Sequence, residues 1–316
     1  MSELLQTPFG ADATADEILT DVDLTGKRYA ITGGASGIGA QTTLALARKG
    51  AEVTIGVRDP GAARTWLASV GAVAGRIDVA HLDLADLNSV ERFTSGWSGA
   101  LDGLIGNAGI MALPRRQLSA AGWELQLATN YLGHFKAAQG LFGPLARAGG
   151  RIVLVSSAAH LRAGVDFTDP QYERRGYDRW NAYSQSKTAD VLLAVGLARR
   201  WNADGITANA LMPGWITTRL QRHLDDETLR AMGAMDEEGN RIDQPYFKST
   251  AQGAATSVLL AASPLTAHVT GTYFEDNQEA PVVETGEGHA TGVARHAVDP
   301  GNADRLWELG TSALGR

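Results

Sequence analysis

Cysteine is absent from all 316 residues. That excludes disulfides, thiolate nucleophiles and cysteine-based metal sites. Positive charge is not in excess either: 28 lysines and arginines stand against 35 aspartates and glutamates, a formal net charge of −7. Such a balance disfavours nucleic acid or an anionic membrane as a partner. No apolar run reaches the roughly 18 residues that a membrane-spanning helix needs, so no membrane insertion is expected. The histidines show no H-E-x-x-H or similar metal spacing, and no G-x-S-x-G elbow marks a hydrolase nucleophile. Residues 1–23 are acidic and lack the basic and apolar regions of a signal peptide, which gives the expectation of a cytoplasmic protein. With 44% hydrophobic and 20% charged residues, the composition is that of a globular enzyme able to bury a sizeable core.

Short β-rich apolar runs alternate with longer helical segments, the pattern of an α/β fold. The expectation is a single Rossmann-type, doubly wound parallel sheet of about seven strands with helices on both faces. Strands are predicted over 27–32, 52–57, 77–83, 101–107, 151–156, 206–212 and 269–274. Helices are predicted over 38–49, 118–148 and 180–202. Outside this alternation lie an N-terminal extension (1–25), an insert rich in charge and aromatics (158–182), a polar stretch (215–250) and a C-terminal extension (275–316). No linker divides the chain, so residues 1–316 are read as one domain.

Thr32-Gly33-Gly34-Ala35-Ser36-Gly37-Ile38-Gly39 joins the first strand to its helix. Gly33 and Gly37 permit positive φ and close backbone approach, and Gly39 lets the helix pack on the strand. The free N–H groups at the helix start, around Ser36, Gly37 and Ile38, would face the phosphate oxygens of a dinucleotide. A purely structural turn is the alternative. Strand two ends in Val57-Arg58-Asp59, with Val57 where a ribose-binding carboxylate would stand. The Arg58 guanidinium suits a ribose 2′-phosphate, hence NADP over NAD; otherwise Asp59 takes the ribose and Arg58 is solvated. Asp83-Leu84 follows strand three, near the adenine in this topology, and Asn107-Ala108-Gly109 follows strand four. Asn107 could equally tie down neighbouring backbone. Ser156-Ser157 ends strand five, at the sheet edge where such folds bind ligands. Asn130 lies mid-helix, where asparagine has poor propensity, and serves either an interhelical hydrogen bond or a proton relay. Tyr183 and Lys187, four apart, put a phenol and an ammonium on one helical face.

Taken together these motifs resemble the short-chain dehydrogenase/reductase family, over nearly everything from Asp23 to about Phe274. The glycine spacing T-G-x-x-x-G-x-G differs from the T-G-x-x-G-x-x-G of the extended epimerase and dehydratase branch. Within the family the chain is most similar to the retinol dehydrogenase and WW-domain oxidoreductase group, without WW domains. Asn130-Tyr131-Leu132-Gly133-His134-Phe135, Val155-Ser156-Ser157-Ala158-Ala159-His160, Gln252-Gly253-Ala254-Ala255-Thr256, Asp299-Pro300 and Leu306-Trp307-Glu308-Leu309 carry that likeness. Two departures are the long Ser157-to-Tyr183 spacing and Met212 where members often have histidine before Pro213-Gly214.

The resemblance implies one role per residue. Tyr183 would be the general acid or base, its phenol acidified by Lys187 and the oxidised nicotinamide. Lys187 would also hold the nicotinamide ribose, Ser157 would bind the substrate oxygen, and Asn130 would anchor a relay water. The Pro213-to-Thr218 turn, with Gly214, Ile216 and Thr218, would orient the carboxamide. The implied activity is hydride transfer between NADP(H) and a ketone or aldehyde, or a secondary alcohol, with a homodimer or homotetramer by family habit through the two long helices. A non-catalytic nucleotide sensor on the same fold is the rival, disfavoured because all four catalytic residue types are present. An epimerase or dehydratase is disfavoured by the glycine spacing. Trp215, Met232, Met235, Tyr246 and Phe247 suggest an apolar substrate wall, or else core or oligomer contacts.

Overall fold

The computed structural model describes residues 3–73, 75–242, 244–284 and 288–315. The strands of its main sheet are β1 (Arg28–Thr32), β2 (Glu52–Val57), β3 (Arg76–His81), β4 (Gly103–Gly106), β5 (Arg151–Val155), β6 (Thr207–Met212), β7 (Tyr273–Glu275) and β8 (Gln278–Glu279); Val282–Val283 and Val293–Ala294 pair separately. The main sheet is eight-stranded, in the order β3-β2-β1-β4-β5-β6-β7-β8. All neighbours are parallel except β7 and β8. The strand beyond the expected seven is β8, two residues long and too short to show a period-two pattern. The expected strand over 269–274 begins later, at Tyr273, because Gly271 takes a positive φ of 77° just before it.

Side chains alternate across this sheet and feed two cores. Ala30, Leu104, Ile152, Leu154, Ala208 and Ala210 point into one, and Tyr29, Ile31, Ile105, Val153, Val155 and Leu211 into the other. The Arg179–Trp201 helix covers the first face and the Gly37–Arg48 and Ala255–Ala262 helices the second. Parallel strands buried on both faces account for the continuous apolar runs in the sequence.

The helix predicted over 118–148 is broken. Residues 118–124 make a turn closed by a Leu118–Glu124 bridge, with Gly122 at φ 80°. The helix starts at Leu125 because the Glu124 carboxylate accepts from the Gln126 and Leu127 N–H groups at 3.1 and 2.8 Å. It then passes through a π-helical turn, Ala128–Leu132, and runs on as Gly133–Gly140. A second break at Leu141 precedes Phe142–Ala148; Pro144, in that helix's first turn, has no N–H to offer the Gly140 carbonyl.

The extensions are docked. The Pro300–Leu314 helix, capped by Asp299, lies on the Arg179–Trp201 helix and against Tyr131 and Phe135. Tyr131 donates to the Leu306 carbonyl at 2.7 Å, and Trp307 meets Phe135 edge-on at 4.9 Å. A Cβ on Gly310 would come within 2.3 Å of the Tyr131 hydroxyl, so only glycine allows that approach. The face on which a family-type homodimer would form is thus covered by the chain's own last helix. At the other end, Ile18, Leu19 and Leu24 are buried in the second core.

Candidate active site

At the carboxyl edge of the sheet, where β1 gives way to β4 and the strand order reverses, lies a cavity of about 1490 Å³. This is where open α/β sheets bind ligands. Gly33 and Gly37 border it with left-handed φ of 70° and 54°. A Cβ on Gly39 would lie 2.4 Å from the Gly33 carbonyl and 2.5 Å from Asn107 Nδ2, so the helix approaches the turn only because Gly39 has no side chain. Ser36 occupies the N-cap without a side-chain cap bond. Among the described residues no side chain caps the N–H groups of this first turn, which leaves a cradle for an anion.

Thr32 ties this cradle to β4. Its hydroxyl accepts from the Asn107 and Ala108 N–H groups at 3.0 and 2.9 Å and meets His134 Nε2 at 2.9 Å. His134 Nδ1 lies 2.7 Å from the Asn130 carbonyl. A carbonyl only accepts, so Nδ1 carries the proton and Nε2 accepts from Thr32. Burial pushes this imidazole down to about 4. The Asn107 side chain donates to the Thr32 carbonyl at 2.9 Å, a backbone tie, while Asn107, Ala108 and Gly109 line the cavity.

Asn130 sits in the π-helical turn. Its Oδ1 accepts from Ile110 N–H at 2.9 Å, and its Nδ2 donates to the Ile110 carbonyl at 3.0 Å and to Ser186 Oγ at 2.9 Å. Both donors are engaged, so the side chain braces the 109–111 segment against the tyrosine helix, the interhelical alternative. Gly109 is held so close that an added Cβ would sit 3.2 Å from Asn130 Oδ1 and 3.7 Å from Lys187 Nζ.

The two serines ending β5 part ways. Ser156 is buried and donates to the Lys187 carbonyl at 2.7 Å. Ser157 caps the turn Ala158–Leu161, accepting from Ala159 N–H at 3.1 Å, and borders the cavity with Tyr183. Lys187 Nζ donates to the Val155 carbonyl and to Asp190 Oδ2, each at 2.8 Å, and lies 6.0 Å from the Tyr183 ring centre. Burial drives the Tyr183 phenol up, while the Lys187 charge and a hydrogen bond with Ser157 pull it back. Burial opposes the Lys187 ammonium, but Asp190 and Tyr183 outweigh it and raise its pKa.

The far end of the cavity is basic. Arg58, Arg219 and Arg222 line it, and burial, followed by the Arg58 and Arg219 charges, depresses Arg222. Asp59 also lines the cavity, but its carboxylate is engaged as the cap of the next helix, accepting from Ala62 N–H at 3.0 Å. Asp83 and Leu84 border the cavity, and Asp83 Oδ1 accepts from Ala85 N–H at 3.0 Å. Pro213, Gly214, Ile216 and Thr218 form the opposite wall. Thr218 caps the Arg219–His223 turn, and a Cβ on Gly37 would stand 3.4 Å from its methyl. The wall therefore rests on the glycine turn.

Residues 27–229 match the family described as short chain dehydrogenase. The chain belongs to the short-chain dehydrogenase/reductase family. It is 61% identical to a probable oxidoreductase of Streptomyces lividans over 295 residues, 93% of this chain and 99% of that one. It is 34% identical to retinol dehydrogenase 14 of Mus musculus over 306 residues, 92% of this chain and 86% of that one. The crystal structure of an uncharacterized protein from Mycobacterium paratuberculosis superposes with a TM-score of 0.73 at 32% identity, covering 96% of this chain and 98% of that one. Membership, and likeness to the retinol dehydrogenase group, accord with the sequence motifs.

A short-chain dehydrogenase is an oxidoreductase working with a nicotinamide cofactor, NAD(P). The cavity of this one fits such a group: it runs from Arg58 past a glycine turn whose close packing a Cβ on Gly39 would block to Tyr183 and Lys187. Of the apolar side chains expected on the substrate wall, Trp215 and Met232 line the dehydrogenase's cavity. Met235 is buried beneath it, Phe247 stacks on Trp215, and Tyr246 is exposed. From the insert, Ala158, Ala159, Leu161, Arg162, Arg179 and Trp180 reach the cavity, and from the C-terminal extension His289 and Ala290. Sequence reasoning missed Asp190, Arg222, His289 and the Thr32–His134 pair. Asp190 alone left a local signal, three residues beyond Lys187 on one helical face.

Proposed function

We propose that this dehydrogenase exchanges a hydride between NADP(H) and a ketone or aldehyde, or the corresponding secondary alcohol, on a largely apolar substrate, as one catalytic domain. The observation that carries the reading is the convergence of Tyr183, Lys187 and Ser157 on the cavity into which the glycine turn opens. When bound, the nicotinamide supplies or accepts the hydride; the chain's task is the proton and the alignment. Tyr183 donates its phenolic proton to the carbonyl oxygen in reduction and takes the hydroxyl proton in oxidation. Lys187, fixed by Val155 and Asp190, has its third N–H left for a ribose hydroxyl, and its charge favours phenolate. Ser157 holds the substrate oxygen beside the phenol. Asn130 acts by positioning: it fixes the strand-four loop and the tyrosine helix relative to each other.

The phosphate preference rests on Val57 in place of a carboxylate, on Asp59 being engaged as a cap, and on three guanidiniums crowded at one end of the cavity. A 2′-phosphate would relieve that crowding. Met111, Trp180, Trp215 and Met232 favour an apolar substrate. The test is cofactor consumption by the purified protein, with NADPH and with NADH, over a panel of ketones and aldehydes of increasing chain length. NADPH-dependent reduction is expected. A protein that binds NADPH and turns over none of the panel sinks the reading.

A further inference from the structure

Lys187 does not serve Tyr183 alone. One turn on along the same helix, Asp190 Oδ2 lies 2.8 Å from its Nζ, with both side chains almost sealed from water at 5% and 2% exposure. Asp190 Oδ1 is buried too, and among the described residues it has no hydrogen-bond partner. A half-satisfied carboxylate is a costly way to fill space, and packing alone gives no reason for it. Asparagine would accept from the same ammonium without the charge. What distinguishes aspartate here is the charge.

We propose that Asp190 is a positioning residue that holds the Lys187 ammonium against the end of β5 and tempers its pull on the Tyr183 hydroxyl. The proposal rests on the dehydrogenase reading for what Tyr183 does. Two charges act on the phenol, Lys187 favouring its ionisation and Asp190 opposing it. Burial keeps three titratable groups near the pair neutral, while the cavity-lining Arg179 is paired with Asp225. Burial holds the Tyr273 phenol on β7 well above its usual range and pushes the His134 and His160 imidazoles down to about 4. Glu275 acts on Tyr273 and not on Tyr183. Lys187 and Asp190 together thus present a dipole to the phenol in place of a lone charge. The pair keeps the proton on Tyr183 to higher pH, which favours its use as an acid.

Asp190→Asn keeps the acceptor and removes the charge. The Tyr183 phenol should then ionise lower by roughly one pH unit, the usual scale for a neighbouring charge. Near-ultraviolet tyrosinate absorbance reads this without substrate or cofactor, as the difference between each chain and its own Tyr183→Phe counterpart. The pH profile of kcat/KM with a ketone from the panel should shift by the same amount, with NADPH affinity little changed. Asp190→Glu, which keeps the charge, should leave the limb where the wild type has it. Asp190→Ser replaces the asparagine variant if that chain does not fold, and must move the phenol the same way. A phenol titration that stays put or moves upward overturns the proposal, even if both variants are slower or less stable. A wild type that turns over nothing while the phenol still shifts sinks the dehydrogenase reading and leaves this one standing.

Discussion

Thr32 Oγ1 and His134 Nε2 meet at 2.9 Å between β1 and the Gly133–Gly140 helix, and only the neutral ring satisfies both of its partners. His160 is bound alike: Nδ1 lies 2.7 Å from the Ser157 carbonyl and Nε2 accepts from Ala294 N–H at 3.2 Å. Burial holds both imidazoles down, to about 4 against an ordinary 6.5. Between those values the unfolded chain binds protons that the folded one refuses. Their contribution is therefore complete above pH 6.5 and lost as the pH falls toward 4, at a limiting slope of about 1.4 kcal/mol per pH unit for each ring. Asp190, which burial raises to about 6, works in the opposite sense over part of this window. Urea unfolding between pH 7 and 4.5 should show acid destabilisation, with a shallower slope in His160→Gln. An equal slope in that variant would exclude His160 as a source.

Tyr183→Phe removes the hydroxyl and little else from a ring that is 3% exposed. Turnover should fall by at least about a thousandfold, at the upper part of the range for general acid–base catalysis. NADPH affinity should stay near the wild-type value. Steady-state rates and a fluorescence titration on one preparation decide it, and wild-type turnover would remove Tyr183 from its role.

Lys187→Ala should damage both properties at once, since one ammonium faces the cavity and biases the phenol. Rate loss with an unchanged cofactor constant would exclude the ribose contact. Lost affinity with an unchanged pH profile would exclude the effect on Tyr183.

Arg58→Ala and Arg222→Ala address the basic end of the cavity. Each charge-assisted bond to a phosphate is worth about 1.5–3 kcal/mol, so each variant should bind NADPH roughly ten- to a hundredfold more weakly. NADH binding should hardly change. Equal losses for the two cofactors, or a wild-type preference for NADH, would refute a 2′-phosphate site between these arginines.

The Pro300–Leu314 helix, with Ala303, Leu306, Gly310 and Ala313 buried, covers the Arg179–Trp201 helix together with Tyr131 and Phe135. Light scattering should therefore find a 33.3 kDa monomer. A chain truncated before Asp299 should self-associate through the uncovered apolar surface. A full-length dimer joined through the Arg179–Trp201 helix would contradict this covering.

Much of this was legible because it is local. Glu52–Val57 is a strand whose burial alternates, with Val53 and Ile55 in the core, and the glycine turn carries its φ requirements in its residue types. Tyr183 and Lys187 needed only helical spacing. What escaped depends on contacts across the chain. The break before Leu125 comes from a glutamate acting as a cap, and the π-helical turn leaves no signature in the letters around Asn130. Arg222 meets Arg58 only after the wall at Thr218 folds onto the glycine turn. His160 looked like a scattered histidine until Ala294, 134 positions away, supplied its second partner.

The opening segment has a consequence for the order of events in folding. Leu5 N–H donates to Glu279 across 274 positions, Thr7 N–H to Gln278 across 271, and Asn277 Nδ2 reaches back to the Gly10 carbonyl. Residues 5–10 therefore meet these partners only once residues 277–279 are in place. Pairs this distant in sequence close late, after local contacts have formed. The strap then seals the rim beside β8, so residues 5–10 are among the last to come to rest.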